Sequence, residues 1–459
     1  MAKEYDVAVI GAGQGGTPLA FMFAGKGKKA ALIEKGHLGG SCVNYGCTPS
    51  KTMAASAKVA QQARRSEQFG VRTGNVEVDM VAVRERKREI VDKFRTGIQE
   101  AKEHKDNLDL VRGEAAFKGP KALEIKRDDG STEELTAGII VVDTGAKPIV
   151  PPIDGIKNVE YLDSTGLLEL DEVPGHLLIV GGGYVGLEFA QMYRRFGAEV
   201  TVVEGENKIA MSEDEDVSKE LQSILEGEGI RFYLGVQVKS VKNEPKGMVT
   251  AQLSNGENIE ASHLALATGR EPTTGPLNTQ AGGIETDEKG FIKVDDQLRT
   301  TAEGVYAIGD CREGGPLFTH ISYDDFRILR TNLLGDGGAT RANRPLAYTM
   351  FTDPQVGHVG LHEREAQEHG LDYKLYKIPM EKIGRADEKD EEKGFVKAIV
   401  DTVDGKILGL TCLGFQGGEM AGAAQIAMMG GLTAEDLKNA PFSHPTLIEG
   451  LNDLFSSGG

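Results

Sequence analysis

Two glycine-rich segments, each closing a run of apolar residues, constrain this chain more than any other feature. The first, YDVAVIGAGQGG (5–16), reads as a buried parallel strand that turns through Gly11, Gly13 and Gly16 into a helix. The next strand, KAALIEK, ends at Glu34, 23 residues beyond Gly11. The second segment, LLIVGGGYVGLEFA (177–190), repeats the pattern with Gly181, Gly183 and Gly186, and Glu204 ends EVTVVE at the same interval. Glycines permit the tight turn, the helix N-terminus meets a pyrophosphate, and the spaced acid accepts from ribose hydroxyls. Two copies call for two nucleotides, or for one nucleotide and an unused copy. Glu204 repels a 2′-phosphate and residues 205–210 (GENKIA) carry no arginine, which favours NAD(H) over NADP(H) at the second copy.

Between the copies lies GGSCVNYGCTPSK (39–51). The four residues separating Cys42 from Cys47 fit one helical turn, so the two sulfurs are expected to face each other. The neighbouring glycines let backbone approach a flat ligand, and Lys51 favours a thiolate. The chain has four cysteines, too few for a secreted disulfide scaffold. A reducing, cytoplasmic setting is therefore expected, with the pair redox-active rather than structural. No second cysteine or histidine cluster lies near it, so no metal site is expected. Cys311 and Cys412 read as small buried apolar side chains.

The 459 residues imply several domains, and 39% hydrophobic with 27% charged residues is the balance of a soluble globular protein. A net charge of −18 argues against a nucleic-acid partner. The basic stretch Arg84 to Arg95 is interleaved with acids and reads as a solvated helix face. No apolar run is long enough for a membrane span, and MAKEYDVAVI enters a strand at once, so no signal peptide is expected.

Further strand ends fall at Thr144-Gly145 (IIVVDTGAKP), Thr268-Gly269 (LALATGREP) and Gly309-Asp310 (TAEGVYAIGD). The last delivers Asp310 toward a cofactor hydroxyl, and a helix from His320 to Leu334 is expected to follow. Near the C-terminus, HPTLIEG places His444 and Glu449 five apart. A helix beginning at Pro445 lets the carboxylate orient the imidazole for proton exchange with a thiol. His320, His358 and His362 show no comparable constellation, and GRADEKDEEKG (384–394) reads as a solvated loop.

In order along nearly the whole chain, the first fingerprint, GGSCVNYGCTPSK, GGGYVGLE, ATGR, AIGD and HPTLIEG resemble the class I pyridine nucleotide–disulfide oxidoreductases. That family includes dihydrolipoamide dehydrogenase, glutathione reductase and mercuric reductase. The resemblance implies an α/β fold: two Rossmann-like dinucleotide-binding domains and a C-terminal α+β dimerisation domain. The implied boundaries are 1–150 and 271–340 for the FAD domain, 151–270 for the NAD domain and 341–459 for the interface. FAD is then held by Gly11, Gly13, Gly16, Glu34, Lys51, Thr144, Gly145, Asp310 and Thr319. The nicotinamide cofactor is held by Gly181, Gly183, Gly186, Glu204 and Gly269, with Tyr184 as a gate or as a core aromatic. Lys51 matches the family lysine beside the flavin and Glu188 its ion-pair partner.

By the same resemblance Cys47 faces the flavin as thiolate, Cys42 faces the substrate, and His444 with Glu449 serves the other subunit of a homodimer. The implied activity moves electrons between NAD(H) and a dithiol or disulfide. Dihydrolipoamide-type chemistry or a related disulfide is favoured, although Tyr184 and the SYDDF segment depart from the dihydrolipoamide dehydrogenase pattern. Mercuric reduction is less favoured, because the chain has no C-terminal cysteine pair and no N-terminal metal-binding domain and keeps His444. An NADH diaphorase or oxidase is the remaining alternative.

Overall fold

The computed structural model describes residues 2–342 and 344–457. They divide into two compact units, the first comprising 2–151, 163–172 and 268–342, the second 152–162, 173–267 and 344–457.

In the first unit the strands Leu108–Arg112, Ala30–Glu34, Lys3–Ile10 and Thr132–Val142 lie side by side and parallel. Val7 to Ile10 and Ala30 to Ile33 are buried. Continuous apolar runs of this kind are what a parallel sheet covered on both faces requires. Thr132–Val142 is long enough to serve two partners on its other edge. Its first half pairs antiparallel with Ala122–Lys126, and its last three residues pair parallel with Val305–Ala307. Three chain segments distant in sequence therefore end together: Ile10, Val142 and Ala307.

The second unit repeats the parallel arrangement in the order Ile230–Leu234, Glu199–Glu204, His176–Val180 and His263–Leu266. It also holds a three-stranded antiparallel sheet, Val238–Asn243, Val249–Leu253 and Asn258–Ala261. A five-stranded antiparallel sheet, in the order Ala347–Met350, Gln355–Gly360, Ile407–Gly414, Phe395–Asp401 and Tyr373–Pro379, packs against the helix Gly417–Met429. The class is α/β, two nucleotide-type sheets with a C-terminal α+β region. Among the described residues no helix is long and apolar enough to cross a membrane.

Three local expectations need correction. The basic stretch lies in the helix Met80–Glu103, but Lys87 is buried and pairs with Glu169, as does Arg88 at 2.6 Å. That face is pinned to the segment 163–172 rather than simply solvated. The charged segment 384–394 opens with a helical turn, Gly384–Asp387, anchored by buried Ala386. No helix begins at Pro445; a 3₁₀ turn starts at Leu447.

Within the second unit a buried guanidinium joins the nucleotide-type sheet to the C-terminal region. Arg195, in the helix Tyr184–Phe196, makes two bonds to the Glu228 carboxylate at 2.7 and 2.9 Å and a third to Asp353 Oδ2 at 2.7 Å. Removing the guanidinium leaves two part-buried carboxylates without their cation. Arg195→Met should therefore destabilise the protein by about 3 kcal/mol. The loss should be read as a lower melting temperature that added salt does not abolish.

Candidate active site

A cavity of about 440 Å³ opens at the converging strand ends of the first unit. Its walls include Gly11, Glu34, Cys42, Thr144, Asp310 and Thr319. Gly11 has φ +104°, and a Cβ there would lie 2.1 Å from the Asp143 carbonyl oxygen, so only glycine fits. The cysteine run is clasped to this loop: Gly39 N–H donates to Ala12 O at 2.9 Å, and Gln14 Nε2 donates to Gly39 O at 3.2 Å. A Cβ on Gly40 would sit 2.7 Å from Gly13 Cα. Both Glu34 oxygens already accept backbone protons, Oε2 from Ala12 at 2.8 Å and Oε1 from Gly36 at 2.6 Å. Each keeps a further lone pair for a ribose hydroxyl. A glycine-rich loop, a helix start and a spaced acid around one cavity fit FAD: these are the residues that would hold its pyrophosphate and a ribose.

The two cysteines do not share a helical turn, as their spacing suggested. Cys42 lies in the short helix Gly40–Asn44, and Cys47 begins the separate 19-residue helix Cys47–Arg65, with Tyr45 and Gly46 between. Both stand as free thiols, partly buried. Their environments differ. The Cys47 thiol is drawn down to about 6, first by the hydrogen bond from Cys42 and then by Thr319 and Lys51, against the opposing effect of burial. Cys47 Sγ lies 3.1 Å from Thr319 Oγ1. Cys42 is pushed up, because a thiolate there would lose its donor bond to Cys47 and would be buried. Of the two sulfurs, Cys47 is the one whose surroundings favour the thiolate, and Cys42 the one that keeps its proton longer.

Asp310 lines the same cavity, and burial raises its carboxyl, with Arg270 and Arg312 opposing. Arg270 Nε is 4.0 Å from Asp310 Oδ2. Gly269, which the resemblance gives to the nicotinamide cofactor, belongs to this first unit, where its carbonyl accepts from Ile149 N–H at 3.0 Å. Asp143 also lines the cavity. The sequence reading passed over it and Arg270, although a carboxylate closing an apolar run in VVDTG was visible.

In the second unit Gly181 has φ +112°. Glu204 brackets its loop as Glu34 does, Oε2 accepting from Gly182 N–H at 2.6 Å and Oε1 from Glu206 N–H at 3.0 Å. Tyr184 is the first residue of the following helix. Its hydroxyl donates to Glu213 Oε1 at 2.5 Å, and Tyr348 donates to the same oxygen at 2.8 Å. Tyr348 Oη also lies 2.9 Å from His362 Nε2, and His362 stacks on His358 at 3.7 Å. Burial draws His358 down to about 3 and His362 to about 4, so both rings are neutral at physiological pH. This network of fully buried Glu213 with two tyrosines and two histidines was not legible from spacing. Glu188 Oε1 accepts from Phe351 N–H at 2.8 Å, also in the second unit, whereas Lys51 belongs to the first.

His444 Nδ1 lies 2.9 Å from Glu449 Oε2, with the imidazole exposed. The carboxylate fixes the tautomer with hydrogen on Nδ1 and leaves Nε2 as the accepting nitrogen.

The chain belongs to the pyridine nucleotide-disulphide oxidoreductases: that family's model matches residues 5–325, and the family's dimerisation domain matches 346–455. It is 36% identical over 458 residues to the probable pyridine nucleotide-disulfide oxidoreductase RclA of Escherichia coli K12, covering 99% of each chain. It is 33% identical to a dihydrolipoyl dehydrogenase of Geobacillus stearothermophilus, across 98% of this chain and 95% of that one. Identity to a mercuric reductase of Staphylococcus aureus is 32%, across 98% and 81%. The structure of the Cu(II) complex of RclA, described as an HOCl-induced flavoprotein disulfide reductase, superposes with a TM-score of 0.91 at 35% identity, covering 99% of both chains. The family binds FAD and a pyridine nucleotide, and the matched dimerisation domain supports a homodimer.

If Thr319 helps hold the Cys47 thiolate, Thr319→Val should move its titration up by about one unit, the size of one lost hydrogen bond to a charged group. Thiolate absorbance of the reduced protein near 240 nm, followed from pH 4 to 9, reads this directly.

Proposed function

We propose that the protein transfers electrons between NAD(H) and a disulfide or dithiol through the Cys42–Cys47 pair, with NAD(H) preferred over NADP(H). One observation carries the proposal: two free cysteines stand at the cavity, Cys42 in its wall and Cys47 3.1 Å from Thr319, another wall residue. In this reading 1–150 and 271–340 form the FAD domain, 151–270 the NAD domain and 341–459 the dimer interface. FAD is held by Gly11, Gly13, Gly16, Glu34, Lys51, Thr144, Gly145, Asp310 and Thr319. The pyridine nucleotide is held by Gly181, Gly183, Gly186, Glu204 and Gly269, with Tyr184 at its nicotinamide end and Glu188 paired to Lys51.

Bound FAD would supply the link between hydride, which carries two electrons, and the dithiol. Lys51 and Thr319 hold negative charge on Cys47 while the pair is reduced. Cys42 gives up its proton and attacks the substrate disulfide, forming a mixed disulfide and releasing one thiolate. Cys47 then attacks Cys42, restoring the internal disulfide and releasing the second thiolate. His444 Nε2, contributed by the partner subunit, takes the Cys42 proton and passes it to a departing thiolate. The balance is NADH, one proton and one disulfide giving NAD⁺ and two thiols, and the reverse direction uses the same groups. A lipoamide-type disulfide is the favoured substrate, supported by the dihydrolipoyl dehydrogenase relatives. A second reading, reduction of a thiophilic metal ion at the same pair, is supported by the relative solved with Cu(II).

Anaerobic titration of the FAD-loaded protein with NADH should consume two equivalents, one for the flavin and one for the dithiol, and raise a long-wavelength thiolate-to-flavin band. Cys47→Ser should abolish that band with FAD still bound; its survival sinks the assignment. Turnover with lipoamide, glutathione disulfide, Cu(II) and Hg(II) then separates the two readings.

His444→Ala should slow disulfide turnover by about 10²–10⁴-fold. Flavin reduction by NADH in stopped flow should be unchanged, because the hydride step itself moves no proton through His444.

A further inference from the structure

Asp143 follows the strand Thr132–Val142, and its carboxyl is enclosed by the first glycine loop. Gly16 N–H donates to Oδ2 at 2.7 Å, at the start of the helix Gly16–Gly25. A Cβ on Gly13 would come within 2.7 Å of Oδ2, one on Gly16 within 2.9 Å of the same atom, and one on Gly309 within 2.9 Å of Oδ1. Three glycines of the cofactor motifs thus leave space that this carboxyl fills. Ser322 Oγ lies 3.4 Å from Oδ1, a weak contact. Asp143 is buried, and among the described residues it forms no ion pair with any cation. The charged groups that face it are Asp310 and Asp325, with the Cys311 thiol alongside. Arg312 is committed to Asp325 at 2.7 and 2.9 Å.

An ionised Asp143 would therefore be a buried, unpaired carboxylate beside two others. It would also share one helix N-terminus with the pyrophosphate of FAD, and a helix end offers roughly half a positive charge. We propose that Asp143 must carry its proton for FAD to be held, so that FAD retention is lost as Asp143 ionises. The inference rests on the assignment of FAD to this cavity. Burial raises the carboxyl well above the ordinary carboxylate range, with the Gly16 N–H pulling the other way. The sign follows from linkage. FAD prefers the neutral form, so its affinity is full at low pH. Affinity falls as pH rises through the value of the flavin-free protein, by up to about tenfold per pH unit.

The test dilutes the FAD-loaded enzyme between pH 6 and 9.5 and reads released flavin by fluorescence. The dissociation constant of the wild type should rise at least tenfold across the range. Asp143→Asn, which keeps an acceptor for Gly16 N–H without the charge, should hold FAD with a flat profile, and Asp143→Ala should also be flat. A flat wild-type profile overturns the proposal without any variant. So does a slope that survives in Asp143→Asn, which would assign it to Asp310 or Asp325. A purified wild type that neither carries nor binds FAD would instead refute the flavin assignment, and this proposal with it.

Discussion

The pairing of Lys3–Ile10 with Thr132–Val142 is the constraint on which the first unit depends. Its register sets Ile10 opposite Val142, and the other edge of Thr132–Val142 sets Val142 opposite Ala307. The glycine loop, the Asp143-Thr144-Gly145 turn and the Gly309-Asp310 turn are consequently extensions of three neighbouring strands. Side-chain period is two in a strand, so a slip of one residue would exchange the two buried faces of the strand and misplace its turn against the other two. The cofactor cavity is a property of sheet register before it is a property of any side chain.

The dithiol is attached to that frame at the glycine loop through Gly39, Gly40 and Gln14, and at the other side through Thr319. Separating Cys42 and Cys47 into two helices, with Gly46 between, lets each sulfur have its own surroundings. Cys47 starts a long helix and has three groups that favour its charge. Cys42 has a donor role toward Cys47 and stands in a separate five-residue helix. A single continuous turn would have placed both sulfurs in one environment and blurred the difference between them.

Much of this was legible in the sequence, for physical reasons. Each glycine fingerprint is local: strand, turn, helix and acid fall within about thirty residues, so spacing alone reports it. The His444–Glu449 contact is local too, although the turn that makes it begins at Leu447. What escaped was long-range. Asp143 meets Gly16 across 127 residues, and Tyr348 meets Glu213 across 135. Neither follows from any periodicity. His358 and His362 stack only four residues apart, but the first lies in the strand Gln355–Gly360 and the second just before the next helix, so no regular period announced the contact. The sulfurs of Cys42 and Cys47 meet as their spacing led one to expect, but not through one helical turn, because Tyr45 and Gly46 separate two helices.

The bracketing of both loops by their own acids bears on how cofactor preference can change. Glu34 and Glu204 each splint the loop that precedes them and, in the proposed function, offer the same carboxylate to a ribose. In that reading stiffness and selectivity are vested in one side chain. Replacing Glu204 to admit a 2′-phosphate would also release Gly182 and Glu206, leaving a slacker loop to be ordered by the incoming nucleotide. A route to NADP(H) through this chain therefore runs through at least two positions: one to welcome the phosphate, and another to tether the glycine loop that Glu204 had held.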